Sequence, residues 1–141
     1  MGITIKSKSR SADMGYVGFM RFREKVAELT NKEFGEHYST LSTGSCLFDE
    51  DRKNFFEMYD KETQRFCNEG LISGEIVNFL HQCDCEGEID QNQAQKIYEV
   101  IKDYTDDIVY GYGGRPDCAM FDDIKGIFKD CAENGESVEW D

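Results

Sequence analysis

The stretch from Gln82 to Gln93 (QCDCEGEIDQNQ) has the spacing of a calcium-binding helix-loop-helix. With Gly87 as the loop glycine, Asp84, Glu86 and Asp90 occupy the third, fifth and ninth ligand positions of a twelve-residue loop. Carboxylate oxygens at these positions are the ligands that Ca²⁺ prefers in proteins. The pattern predicts an EF-hand-like loop in the C-terminal half of the chain.

The two ends of this loop lack the usual acids. Gln82 and Gln93 stand at the first and twelfth positions, where the twelfth normally supplies a bidentate carboxylate. A glutamine offers one neutral oxygen instead, so both the affinity and the coordination number fall. The sequence therefore predicts at most a weak calcium site, and the alternative is a tight turn followed by a helix cap.

Thiols and an imidazole alternate at the start of the same stretch, as His81, Cys83 and Cys85. These groups can share a zinc ion, with Cys118 or Cys131 completing a tetrahedron. The Cys-x-Cys spacing is less frequent in structural zinc sites than Cys-x-x-Cys, and a free cysteine often behaves as a small buried hydrophobe. A weak zinc site and free thiols both remain open, and we expect no cofactor.

A third candidate lies where dense acids meet a glycine-rich and aromatic segment, residues 110–117 (YGYGGRPD). Tyrosine and arginine are enriched at interaction hot spots, and glycines let the backbone turn sharply. The alternative is an ordinary connection between helices. The residues predicted to bind a partner are Asp103, Asp106, Asp107, Tyr110, Tyr112, Arg115, Asp122 and Asp123.

The charge of the chain limits its partners. With 29 acids against 16 bases the formal net charge is -13, and all but three of the acids lie in residues 33–141. Such a field repels nucleic acid and anionic membranes, so we expect a basic protein partner, no direct nucleic-acid binding and no membrane contact. No apolar run approaches the length of a transmembrane helix, and the sequence predicts a cytoplasmic protein.

The elements that position these residues follow from hydrophobic periodicity. Ile3 and Ile5 alternate with polar residues near one end, and residues 137–140 are β-prone near the other, which predicts pairing of the termini as a small antiparallel ribbon. A first helix is predicted over residues 14–30, with Ser11 and Asp13 as candidate N-caps. A second, over residues 49–67, carries an aromatic stripe that includes Phe55 and Phe56.

Capping residues mark the remaining helices. Ser73 caps a short helix that leads into the loop, Asp90 begins another with a capping box to Gln93, and a last helix starts at Asp117. The sequence thus predicts one mainly α domain over residues 1–141, with five to six helices and a small terminal β ribbon. With only two histidines and no nucleophile motif, we expect no enzymatic activity.

The run FLHQCDCEGEIDQNQAQKIYEVIKDYTDDI, followed by YGYGGRPDCAMFDDIKGIF, resembles a group of short acidic proteins of gut Firmicutes, some of them carried on prophage-like elements. The resemblance covers about the C-terminal half, and GITIKSKSRSADMGYVGF near the N-terminus is similar to the same group. It implies no activity and no site residues. Small acidic proteins in such a setting resemble inhibitors of host defence nucleases, including anti-CRISPR-type proteins.

Together these features predict a small acidic protein-binding module. The more specific prediction is an inhibitor from a phage or mobile element. It would imitate nucleic-acid charge and bind a basic host defence or nucleic-acid-binding protein. The alternative is a metal-binding or metal-stabilised EF-hand-like module without catalytic activity.

Overall fold

The computed structural model describes residues 2–111 and 119–141. Helices dominate it, and six of those described have at least eight residues. In chain order the elements are β1 (Gly2–Lys6), β2 (Ser11–Gly15), α1 (Tyr16–Thr30), α2 (Lys32–Ser39), α3 (Leu41–Gly44), α4 (Asp49–Asn68), α5 (Gly74–His81), β3 (Gly87–Ile89), α6 (Gln91–Ile101), α7 (Phe121–Asn134) and β4 (Val138–Trp140). The prediction of a mainly helical chain is confirmed.

The four strands form one antiparallel sheet in the order β2-β1-β4-β3. Ile5 lies opposite Trp140, so the predicted pairing of the terminal segments is confirmed. The sheet is wider than predicted because β2 and β3 flank this central pair. Strand β3 comes from the predicted calcium loop, and its Ile89 lies opposite Val138.

Strand β2 replaces the predicted start of the first helix. Ala12 and Met14 are buried on one face of the sheet, and the intervening Asp13 accepts a hydrogen bond of 2.7 Å from Thr4 Oγ1. The prediction that Ser11 and Asp13 cap a helix is therefore wrong: burial with period two selects a strand here. Helix α1 begins at Tyr16 instead.

Helix α1 supplies the centre of the hydrophobic core. Phe19, Phe22 and Val26 are fully buried, as the three-and-four spacing of these residues predicts. Gly18 lets the helix approach a neighbouring segment, since a Cβ added there would lie 1.7 Å from the carbonyl oxygen of Tyr110. The helix packs against both α2 and α6.

Helix α4 is less buried than its aromatic stripe predicts. Tyr59 and Phe66 are buried, whereas Phe55 and Phe56 are only half-buried. The main contacts of α4 are with α2 and the short α3. Phe48, just before the helix, leaves 79% of its surface exposed. This half of α4 therefore forms an outer wall rather than part of the core.

The ends of the other helices agree with their predicted caps. Ser73 accepts from the backbone of Ile76, and Asp90 forms a capping box with Gln93. Gly135 has a left-handed conformation and ends α7. Helix α7 begins at Phe121, and its predicted start at Asp117 lies outside the described residues.

Basic residues near the N-terminus lie against acids of the C-terminal segment. Arg10 Nε is 3.0 Å from an Asp130 carboxylate oxygen, and Lys6 Nζ is 3.5 Å from one of Asp141. These contacts reduce the repulsion among the acids around the sheet edge. Across the described residues, none of the helices has both the length and the apolar character that a membrane crossing requires.

Candidate functional site

The segment between α5 and α6 is closed by a side-chain amide. Gln82 Nε2 donates to the carbonyl oxygen of Glu88 at 2.9 Å, and Gln82 Oε1 accepts from the Glu88 backbone N–H at 3.2 Å. In a calcium loop that carbonyl is a metal ligand at the seventh position. Here the amide of Gln82 satisfies that carbonyl with a hydrogen bond, which closes the loop.

The predicted calcium ligands do not converge. Asp90 Oδ1 accepts from the Gln93 backbone N–H at 2.9 Å, so this carboxylate caps α6. The Gln93 amide nitrogen donates to Asn78 Oδ1 at 2.8 Å and is used in tying α6 to α5. Asp84 and Glu86 are exposed. Within the described residues, Glu86 and Asp90 belong to no group of three potential ligands, and an EF-hand-like calcium loop is not confirmed.

The group that the loop does bring together is Cys83, Asp84 and Cys85, whose potential ligand atoms all lie within 4.8 Å of one another. The two thiol sulfurs are 3.1 Å apart, and both side chains are exposed. Hydrogen bonds from the Cys85 thiol and from backbone N–H groups of Cys85 and Glu86 lower the pKa of Cys83. The same contact, with the charges of Cys83 and Asp84, raises the pKa of Cys85 to about 11.

The other predicted zinc ligands point elsewhere. His81 donates from Nδ1 to the Val77 carbonyl at 2.8 Å, and its Nε2 accepts from the Tyr59 hydroxyl at 2.7 Å, so both ring nitrogens are engaged. Cys131 is buried and its thiol donates to the Ser137 carbonyl. Cys118 lies outside the described residues. The described residues therefore do not complete the predicted tetrahedron.

A buried arginine holds the beginning of the loop. The Arg23 side chain donates to the carbonyl oxygens of Gln82 at 2.7 Å, Cys83 at 3.3 Å and Leu80 at 3.4 Å. Its guanidinium lies 4.2 Å from the centre of the Phe19 ring, and desolvation by burial lowers the pKa of Arg23. A cation at these carbonyls stabilises the C-terminal end of α5. Sequence reasoning missed this role, and the only signal was a charge within the apolar face of α1.

An apolar groove adjoins the thiol pair formed by Cys83 and Cys85. Its volume is about 510 Å³, and it lies between α1, the α2–α3 corner, α4 and the start of the loop. Met20, Leu41, Phe56 and Leu80 form apolar walls, while Cys83 lines one side. The aromatic spacing of α4 predicts that Phe56 lies in the core, whereas its half-buried ring lines this groove.

Both histidines of the chain lie in one aromatic cluster. The His37 ring stacks on Tyr59 with centroids 4.1 Å apart, and His81 bonds to the hydroxyl of the same tyrosine. His37 Nε2 is 2.8 Å from Thr63 Oγ1, and that hydroxyl donates to the Tyr59 carbonyl. Desolvation lowers the pKa of both His37 and His81. The cluster joins α4 to α2 and α5, and the lowered pKa values favour the neutral form of both imidazoles.

The predicted partner-binding residues divide into structural and surface groups. Tyr110 is 1% exposed, so the prediction that it lies on a contact surface is wrong. Asp106 accepts hydrogen bonds from the hydroxyls of Tyr110 and Tyr104 and from the Ile108 N–H, at 2.7 to 3.0 Å. These contacts fold residues 103–110 into a fixed shape, and Asp106 is a structural acid rather than a free surface charge.

Four of the predicted acids lie on the surface. Asp103 and Asp107 are exposed on the segment that follows α6. Asp122 accepts a 2.7 Å hydrogen bond from Thr105, and Asp123 caps the first turn of α7 through the Met120 N–H. The Thr105 contact joins the segment that follows α6 to the first turn of α7. Tyr112 and Arg115, the remaining predicted residues, lie outside the described part of the chain.

No protein-family model, curated protein or solved structure matches the chain.

Proposed function

We propose that this protein is a binding module for a basic protein and that it contacts this partner through the acidic face formed by residues 103–109 and the first turn of α7. The observation that carries the proposal is the combination of exposed acids and exposed apolar side chains on this face. Asp103, Asp107 and Asp122 are exposed there, and Ile108 and Val109 leave 43% and 42% of their surface open.

The contacts beneath this face support the proposal because they fix its shape. Val109 forms a β-bridge with Met120, and Tyr110 accepts and donates backbone hydrogen bonds with Gly15 and Ala119 at 3.2 and 2.9 Å. A surface that is ordered before binding loses less conformational entropy on association. The buried Tyr110 therefore acts as the anchor of the face rather than as a contact residue.

Charge supports the choice of partner. Among the described residues, the cations near this face are Lys102, Lys125, Arg21 beside Val109, and Lys25 over the Tyr104 ring. Lys125 is drawn inward by the carbonyl of Tyr104 and pairs with Asp122 at 3.5 Å. The net charge of -13 adds a long-range field that attracts basic surfaces. The specific form of the proposal is inhibition: the acids replace nucleic-acid phosphates in the groove of a defence nuclease or another nucleic-acid-binding protein.

The test is affinity capture of partners by three forms of the tagged protein. Wild type is compared with Asp103→Asn/Asp107→Asn, and with the control Glu36→Gln/Glu57→Gln, which removes the same charge from exposed positions on α2 and α4. We expect wild type and the control to retain a basic nucleic-acid-binding protein that the Asp103/Asp107 variant loses. Added DNA should compete with the captured complex. Equal capture by all three forms, or capture without competition, would contradict the proposal.

A further inference from the structure

The facing thiols of Cys83 and Cys85 form a pair that the binding face does not use. Their sulfurs are 3.1 Å apart at the exposed end of the loop. Other described cysteines are placed differently: Cys46 is exposed with its thiol directed to the Ser42 carbonyl, and Cys131 is buried. A short approach of the two sulfurs, with loss of both thiol hydrogens to an oxidising disulfide, would join Cys83 and Cys85 in a disulfide, whose S–S distance is about 2 Å.

The hydrogen bonds make the two thiols unequal. The Cys85 backbone N–H donates to Cys83 Sγ at 3.4 Å, and the Cys85 thiol has the Asp84 carboxylate as a second acceptor at 3.7 Å. Donors therefore gather at Cys83 Sγ, while acceptors surround the Cys85 proton. A thiolate is stabilised by donors and disfavoured by neighbouring acids, so Cys83 is the better nucleophile of the pair.

The backbone beneath Cys83 is held from the core side. The Cys83 carbonyl accepts from Trp140 Nε1 at 3.0 Å and from Arg23 at 3.3 Å, and both donor side chains are buried. The Gln82 contact to Glu88 closes the other side of the loop. These bonds keep the Cys83 sulfur at the surface and next to its partner, which reduces the entropy lost when the two react.

The surroundings define which disulfides can approach. Cys83 lines the apolar groove of about 510 Å³, so an uncharged organic group bound to sulfur has a surface to contact. Asp84, Glu24 and the largely buried Arg23 also line the groove, so acids outnumber bases there, and the whole chain is strongly acidic. An anionic disulfide is repelled by this field, and a cationic one is attracted.

We infer that Cys83 and Cys85 form a redox-active dithiol that exchanges with neutral or cationic disulfides, with Cys83 as the attacking thiol and Cys85 as the resolving thiol. The Cys83 thiolate attacks one sulfur of the disulfide substrate, forms a mixed disulfide and releases the other half as a thiolate. Cys85 then loses its proton to solvent and attacks Cys83 Sγ, which releases the second half. The protein is oxidised by two electrons, and the substrate disulfide is reduced to two thiols. This activity does not depend on the proposed binding function.

The test uses reduced full-length protein in EDTA with three disulfide probes: cystamine (cationic), bis(2-hydroxyethyl) disulfide (neutral) and oxidised glutathione (anionic). Mass spectrometry with peptide mapping follows the products. Wild type should lose two hydrogens, with the new disulfide mapped between Cys83 and Cys85. The rate should fall from cystamine through the neutral probe to glutathione, by at least about tenfold over the series.

Variants assign the roles of the two thiols. Cys85→Ser should accumulate a mixed disulfide at Cys83, whereas Cys83→Ser should react at least about tenfold more slowly at this loop. Cys46→Ser is the matched control for an exposed thiol and should leave the rates unchanged. All the replaced side chains are exposed, and thermal melting confirms that each variant folds. Unchanged oxidation in Cys83→Ser, equal trapping at Cys46 and Cys83 of the Cys85→Ser variant, or failure of wild type to form the Cys83–Cys85 disulfide would overturn the inference.

Discussion

Gln82 and Glu88 are joined by a pair of hydrogen bonds in which the side-chain amide of the first meets both backbone groups of the second, at 2.9 and 3.2 Å. In a calcium loop, the backbone carbonyl at this position binds the cation. Here the same carbonyl accepts a hydrogen bond from the Gln82 amide instead. Arg23 adds a fixed positive charge at the preceding carbonyls. Protein groups thus supply hydrogen bonds to the loop at both its beginning and its middle.

Calcium should therefore leave the stability of the protein unchanged. The Gln82 and Gln93 amides are used in hydrogen bonds, and Asp90 caps a helix, so these three positions offer Ca²⁺ no prepared set of oxygen ligands. The check is thermal melting in EDTA and in millimolar calcium. A ligand present at a hundredfold excess over its dissociation constant adds about 2.7 kcal/mol to the free energy of unfolding. A rise of the melting temperature that corresponds to this free energy would contradict this description of the loop.

Substitution of Arg23 should destabilise the protein more than substitution of most other polar residues. Arg23→Met leaves the Gln82 carbonyl without its 2.7 Å donor and removes a cation from the end of α5. We expect a loss of about 2–4 kcal/mol in the free energy of unfolding, because a buried group loses charge-assisted hydrogen bonds. Urea denaturation measures it.

The control for this experiment is Arg21→Met on the exposed side of the same helix. It removes the same charge and should change the free energy of unfolding by less than about 0.5 kcal/mol. Arg23→Lys should rescue only part of the loss, since an ammonium group cannot reach three carbonyls with one planar fork. Equal effects at the two arginines would show that the carbonyl contacts contribute little.

A pair of glycine substitutions tests the close approach of α1 to Tyr110. Gly18→Ala places a methyl group 1.7 Å from a backbone oxygen, whereas Gly74→Ala meets no atom within 4 Å at the start of α5. We expect Gly18→Ala to destabilise the protein by about 1–3 kcal/mol or more through overpacking. Gly74→Ala should be neutral or stabilising by up to about 1 kcal/mol, because alanine favours a helix. Similar melting temperatures for both variants would refute the packing of this segment.

The histidine cluster should make stability depend on pH near neutrality. Folding lowers the pKa of His37 and His81, so the unfolded chain binds protons first as the pH falls. The stabilisation is fully present above the unfolded pKa of about 6.5 and is lost as the pH falls toward the folded pKa. Urea denaturation between pH 7.5 and 5.5 should show this loss, and NMR titration of the two rings should give pKa values below 6.5.

The matched variant for the pH experiment is His37→Asn/His81→Asn. It should be less stable at pH 7.5 but show a flatter dependence on pH, since most carboxylates titrate below this range. A ring pKa above 6.5 for either histidine, or an unchanged slope in the double variant, would be incompatible with neutral imidazoles around Tyr59.

Local patterns predicted most of the helices but not the side-chain contacts between distant segments. The period of Phe19, Phe22 and Val26 defines α1, and Asp90 with Gln93 marks the start of α6, because both signals are local. Strand β2 was hidden because Ser11 and Asp13 suit a helix cap as well as a strand edge. Its pairing with β1 decides between them.

The candidate sites show the same limit more strongly. The residue spacing predicts a site in the α5–α6 loop. No local pattern indicates that Gln82 bonds to Glu88, or that Arg23 of α1 donates to the Gln82 carbonyl. Tyr110 stands beside glycines and acids, a composition typical of a surface, but its hydroxyl finds Asp106 four residues earlier and the ring is buried. Tertiary packing overrides composition at each of these positions.

The measurement that tests the proposed binding function most directly is the salt dependence of affinity for the captured basic partner. Wild type, Asp103→Asn/Asp107→Asn and Glu36→Gln/Glu57→Gln are compared over a range of ionic strength. We expect the Asp103/Asp107 variant to bind more weakly and with a shallower salt dependence, while the control retains the wild-type slope. Identical affinities and slopes for the three proteins would contradict a role of this acidic face in binding.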